Sequence, residues 1–219
     1  MCCLRCVVFL YHVTRVENIP LLRRAGIRTG MPPAEAKLAG VPEEEWDVLE
    51  ISDEERAREI FDGYLREAAP VGMPRHDQAV FFWSDPDKAR GIADAVTRQS
   101  PWEYEVVVVD ADRIPCGCYE APYMKAESLF SNVKCHVREF ENIESIGPET
   151  DEDERLVTEA QDIARDYYAS MRPFTGVPDA EMEVACGCDI PPEAIVGQLS
   201  TRGVMYEGTT YGRKQSEKK

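Results

Sequence analysis

Apolar side chains follow two rhythms along this chain. Continuous or alternating apolar runs at residues 6–13, 79–83, 103–109, 132–140, 181–188 and 194–199 predict buried or half-buried strands, and Val204-Met205-Tyr206 predicts a last short one. Spacings of three and four predict helices between them. Ile19, Leu21, Leu22 and Ala25 form one such stripe over 18–25, with Gly26 as its stop. Ser52-Asp53-Glu54-Glu55 resembles a capping box opening a helix to about Glu67. Asp85-Pro86 opens another through Arg98, with proline in the first turn, and residues 149–171 form a long helix whose acidic first turn suits the helix dipole. Residues 114–131, punctuated by Pro115, Gly117 and Pro122, read as a loop.

Strands and helices interleave irregularly, which favours an α+β fold over a doubly wound parallel sheet. No internal repeat or linker is visible. The expectation is one domain over 1–208, with 31–70 as a helical insertion or solvated cover and 209–219 as a disordered tail.

Composition narrows the function classes. The 219 residues are 43% hydrophobic and 30% charged, ordinary for a globular chain. Against 25 basic residues stand 41 acidic ones, a net charge of −16. With no basic patch in the sequence, that balance argues against a nucleic-acid partner. Glycine-rich dinucleotide and phosphate-loop fingerprints are absent. The N-terminal apolar stretch is broken by Arg5 and followed by His12, too short and polar for a membrane span or signal core. A cytoplasmic chain with no membrane partner is therefore expected.

Eight cysteines in a chain read this way suggest thiols or metal rather than a disulfide framework. The notable runs are Cys-Gly-Cys at Cys116/Cys118 and at Cys186/Cys188. Four thiolates could hold zinc, but the familiar knuckle is Cys-x-x-Cys. On a strand, Cys-x-Cys points both side chains one way, so small core residues explain the pairs too. The reading adopted has no metal, with a zinc-organised structural protein as its competitor.

Three segments, in order, resemble the ADP-ribosyltransferase family. The first is Leu10-Tyr11-His12-Val13-Thr14 followed by Asn18-Ile19-Pro20-Leu21-Leu22-Arg23-Arg24-Ala25-Gly26-Ile27. It is similar to the opening strand and helix of the family's His-Tyr-Glu branch, where the histidine hydrogen-bonds the nicotinamide ribose. The second, Ala79-Val80-Phe81-Phe82-Trp83-Ser84-Asp85-Pro86, resembles the strand and helix that supply the aromatic stacking residue. The third is Glu181-Met182-Glu183-Val184-Ala185-Cys186, leading to Ile190-Pro191-Pro192. It is similar to the catalytic strand of the DNA-targeting toxin members, and the branch also includes poly(ADP-ribose) polymerase-type domains. The resemblance implies a split antiparallel sheet core with peripheral helices, NAD as substrate, and transfer of ADP-ribose to an acceptor or to water. The charge favours a protein or small-molecule acceptor. The sequence departs from the pattern where the expected tyrosine is replaced by an apolar aromatic, so stacking survives but a hydroxyl contact is lost.

The chemistry explains the residue types. Breaking the bond to nicotinamide builds positive charge on the ribose, and a carboxylate beside the sugar stabilises it and can hold a ribose hydroxyl. The resemblance assigns that role to Glu183, with Glu181 two residues earlier orienting the acceptor. His12 and Thr14 position NAD, and Phe81, Phe82 or Trp83 stacks the nicotinamide. Arg23 or Arg24 could reach the diphosphate. The bland alternatives are a structural His12, core aromatics at 81–83, and outward-facing strand glutamates. His136 reads as structural and Arg75-His76-Asp77 as loop polarity; Tyr119, Tyr123, Tyr167 and Tyr168 are replacement aromatics. A catalytically silent nucleotide- or protein-binding member of the same fold is the alternative function.

Overall fold

A computed structural model describes residues 7–30, 52–200 and 203–205. Most of the expected cover at 31–70, up to residue 51, lies outside the described residues, as do the start of the first strand and the tail. The fold is α+β, and its strand pairings are antiparallel. The chain divides into two compact units. One runs to Gly26 and adds Phe82–Ile114 and the chain from Pro191; the other comprises Ile27–Phe81 and Pro115–Ile190.

The first unit is built on β1 (Phe9–Arg15), which pairs with β3 (Tyr104–Asp110) along its whole length, His12 opposite Val107 and Thr14 opposite Glu105. On its other side β1 meets β2 (Val80–Trp83), which enters this unit at Phe82, through the pair Tyr11 and Trp83. Beyond β3 come β7 (Ile195–Ser200) and β8 (Gly203–Met205). Val106, Val107, Val108 and Val109 are all buried, so β3 is covered on both faces, and its continuous apolar run reflects that cover. Each such side chain contributes roughly 1.5–3 kcal/mol of hydrophobic stabilisation. The helix α1 (Ile19–Ala25) ends at Gly26, whose φ of 81° suits glycine and whose N–H bonds Leu22 O at 2.8 Å.

The second unit carries most of the helices. The first of these, α2 (Asp53–Ala68), opens with the expected capping box: the Ser52 hydroxyl accepts from Glu55 N–H, and the Glu55 carboxylate accepts from Ser52 N–H. In the first unit, α3 (Pro86–Gln99) is capped by Asp85, which accepts from the N–H groups of Asp87 and Lys88 at 2.8 Å each.

Residues 114–140 correct the sequence reading. The expected loop contains β4 (Cys118–Pro122) and most of α4 (Tyr123–Cys135), and the expected strand over 132–140 is the end of α4 and the start of α5 (Val137–Ile146). Ala126, Leu129, Val133, Val137 and Phe140 are all buried at spacings of three and four, and that helical stripe decides the outcome. Next comes α6 (Asp151–Ala169), capped by Thr150 and Asp153. The strands β5 (Arg172–Pro173), β4 and β6 (Met182–Cys186) pair antiparallel in that order. One apolar cluster joins Phe61, Leu129, Phe140, Ala164, Tyr167 and Tyr168 to Ala121 and Ala185 on the sheet.

Candidate functional site

In the first unit, His12 and Thr14 lie on one face of β1, and the ladder register sets Val107 and Glu105 of β3 beside them. Gln198 of β7, opposite Val107, falls on that same face. A polar chain runs through it: Arg23 donates to Gln198 Oε1 at 3.0 Å, and Gln198 Nε2 donates to Glu105. Thr14 is buried, and the His12 ring meets Phe82 edge-on with centroids 5.7 Å apart. The sequence reading held no place for Glu105 and Gln198. Their only signal was polar residues at period-two positions in otherwise apolar strands. Arg23, considered for the NAD diphosphate, is engaged with Gln198.

Of the three aromatic candidates, Phe82 (1% exposed) and Trp83 (4% exposed) are spent on packing, with Lys88 Nζ 5.1 Å from the Trp83 ring centroid. Phe81 is half-buried and packs against the apolar cluster of the second unit. It belongs to the second unit and lies against His76, centroids 4.7 Å apart.

Glu183 also belongs to the second unit, on β6 opposite Ala121, which places it on the sheet face covered by helices. It is half-buried. Its charge is felt by two phenols. Burial pushes the Tyr167 hydroxyl well above its ordinary pKa, and the Glu183 carboxylate adds to the shift. Tyr123 is raised by burial, then by Glu127 and Glu183. Glu181 departs from expectation: β6 begins at Met182, so Glu181 is exposed in the preceding turn, where its N–H donates to Asp179 Oδ1 at 2.9 Å. The Asp179 bond ends the strand one residue short of it.

His76, loop polarity by its sequence context, is built into the fold of the second unit. Its Nδ1 lies 3.2 Å from Asp62 Oδ1, and both side chains are mostly shielded. Phe61 and Tyr167 meet its ring edge-on, and its backbone N–H donates to the Tyr168 hydroxyl at 3.1 Å. Asp77 is bound by Arg75 and Arg66. Tyr167 and Tyr168 are core residues, as their helical positions suggest; Tyr119 is half-buried on β4. His136 sits at the junction of α4 and α5. The buried carboxylate Glu120 is held by Arg172 across β4 and β5, a structural pairing rather than a free acid.

The cysteines overturn the expectation of thiols. Cys118 and Cys186 face each other in the β4–β6 register and form a disulfide, Cα atoms 4.5 Å apart. Strands running in opposite directions bring Cys116 to Cys188 one step further on, and these form a second disulfide with Cα atoms 6.1 Å apart. The sequence showed the repeated Cys-Gly-Cys but not the register that opposes the two runs. Among the described residues no cluster of His, Cys, Asp or Glu is arranged to hold a metal, and Cys135 is a free, exposed thiol. No helix among the described residues is long and apolar enough to cross a membrane.

No protein-family model, curated protein or solved structure matches the chain.

Proposed function

We propose that this chain has an ADP-ribosyltransferase-like fold, cleaves the nicotinamide–ribose bond of NAD, and passes ADP-ribose to a protein or small-molecule acceptor, or to water. The observation that carries the reading is Glu183: a half-buried strand carboxylate on a helix-covered face, close enough to Tyr123 and Tyr167 to raise both phenols. A carboxylate in such surroundings acts more strongly on a developing ribosyl cation than one in open water. In this reading Glu183 stabilises the cation and holds a ribose hydroxyl, and Phe81 of the same unit stacks the leaving ring; for His12 and Thr14 the resemblance implies a ribose-positioning role. Glu181, exposed ahead of β6, orients the acceptor.

The test is nicotinamide release from NAD by purified protein. The expected result is turnover that falls at least about a hundredfold in Glu183→Gln. His12→Ala is expected to raise KM more than it lowers kcat, since its contact is with bound NAD. Release that is the same in wild type and Glu183→Gln overturns the assignment. The burial of Phe82 and Trp83 favours a second reading, a silent member that binds a nucleotide or a partner protein. Calorimetric NAD binding without nicotinamide release selects it.

A further inference from the structure

The two cystines stand side by side at one end of the β4–β6 ladder, yet the chain around them is held very differently. Cys118–Cys186 joins directly opposed strand residues. Its Cys186 is fully buried and its Cys118 half-buried, and the carbonyl of Cys118 accepts a hydrogen bond from Phe174 N–H at 2.9 Å. Cys116–Cys188 lies beyond the strand ends, half-buried at both residues, and the exposed Gly117 and Gly187 separate it from the inner pair. Its two arms also differ from each other. The Cys188 arm is anchored. Asp189 Oδ1 accepts from the N–H and hydroxyl of Thr29 at 2.7 and 2.9 Å, Ile190 exchanges backbone bonds with Ile27 at 2.7 and 2.9 Å, and Gly187 sits against Pro74. Among the described residues Cys116 has no comparable anchor, and the space beside Gly117 is open.

We propose that Cys116–Cys188 is a thiol–disulfide exchange site, opened and closed by a dithiol, while Cys118–Cys186 remains a permanent staple. A thiolate of the dithiol attacks one sulfur of this cystine, the Cys116–Cys188 bond breaks, and the other sulfur leaves as a thiolate that takes up a proton. The second thiol of the reagent then attacks the mixed disulfide, releases the remaining cysteine and closes the reagent's own disulfide. Both electrons come from the dithiol. The freed Cys116 swings with the segment around Gly117, Cys188 stays on its anchors, and the inner cystine keeps β6 in register. The site is independent of the NAD reading, because no step involves Glu183.

The test uses the full chain in non-denaturing neutral buffer. Free thiols, including Cys135, are first blocked with iodoacetamide. Dithiothreitol is then added, samples are quenched with N-ethylmaleimide at intervals, and the label is located by peptide mapping. Cys116 and Cys188 are expected to take up label at least about tenfold faster than Cys118 and Cys186, since exchange follows access of the attacking thiolate. Equal rates, labelling of the inner pair first, or no labelling short of unfolding would overturn the proposal. So would stoichiometric zinc on four thiolates in the protein as purified. In Cys116→Ser/Cys188→Ser the fast phase should vanish while the inner cystine stays slow. Fast reduction of Cys118–Cys186 in that variant would show that its protection came from the outer pair, which also overturns the assignment.

Discussion

The two units are held together by different physics. The first rests on a long ladder: β1 and β3 pair over seven positions, and four consecutive valines of β3 are buried. Its stability is spread over many similar contacts. The second has short strands under a layer of helices, fixed at discrete points by two cystines, by the Glu120–Arg172 pair, and by Arg56, which reaches Glu59, Glu141 and Glu144. A distributed ladder tolerates loss of any one contact in proportion to its area. A pinned unit responds to the loss of particular pins, and not additively.

The largest effect is expected where pins are redundant. Cys118–Cys186 and Cys116–Cys188 close nested loops with sequence separations of 68 and 72. Either alone keeps the chain looped, so removing one should cost little loop entropy. Removing both should cost about 4 kcal/mol, the value for a loop of that length. Urea unfolding of the two double-alanine variants and the quadruple variant measures this, and additive losses would break the contrast drawn above. A smaller loss, about 3 kcal/mol, is expected from Leu10→Ala on β1, where a fully buried side chain leaves a cavity. The same unfolding assay reads it, and a value below about 1 kcal/mol would mean that the first unit collapses around the gap.

The smallest effect concerns acid. Burial works to raise the Asp77 pKa, but its bonds to Arg75 and Arg66 prevail and hold it below its ordinary value of 3.8. Its stabilising contribution is therefore complete above that value and lost as pH falls through the lower folded one. Asp77→Asn should lose stability at neutral pH and show a flatter decline below pH 4, measured as melting temperature against pH. An unchanged slope would assign the acid sensitivity to other carboxylates.

Legibility followed the range of the signal. β1, β3, α1 and α3 were readable because their signals are local: an apolar run, Gly26 as a helix stop, the Asp85-Pro86 start. The α2 start was readable for the same reason, since a capping box lies within four residues. Between 114 and 146 the punctuation of Pro115, Gly117 and Pro122 outweighed a valid helical stripe, and proline proved to end a strand and cap a helix instead of marking a loop. The candidate site was legible in part. His12, Thr14 and Glu183 fall on strands as read, whereas Glu181 sits in a turn and Phe82 and Trp83 are core. Glu105 with Gln198 and both cystines pair residues far apart in sequence. Such pairs depend on register and packing, which no local window contains.

The nested cystines also change how the molecule would carry a mechanical load. Tension applied at the chain ends passes from Cys116 straight to Cys188 through a covalent bond, and the intervening segment, with α4, α5, α6 and the strand bearing Glu183, bears none of it. With a sequence separation of 72, that bond hides roughly 240 Å of extended chain. Opening the outer cystine alone shifts the load two residues inward on each side, to Cys118 and Cys186, and lengthens the force path by only a few residues. The enclosed segment thus stays slack under tension in either redox form, and only loss of both bonds puts it in series with the rest of the chain.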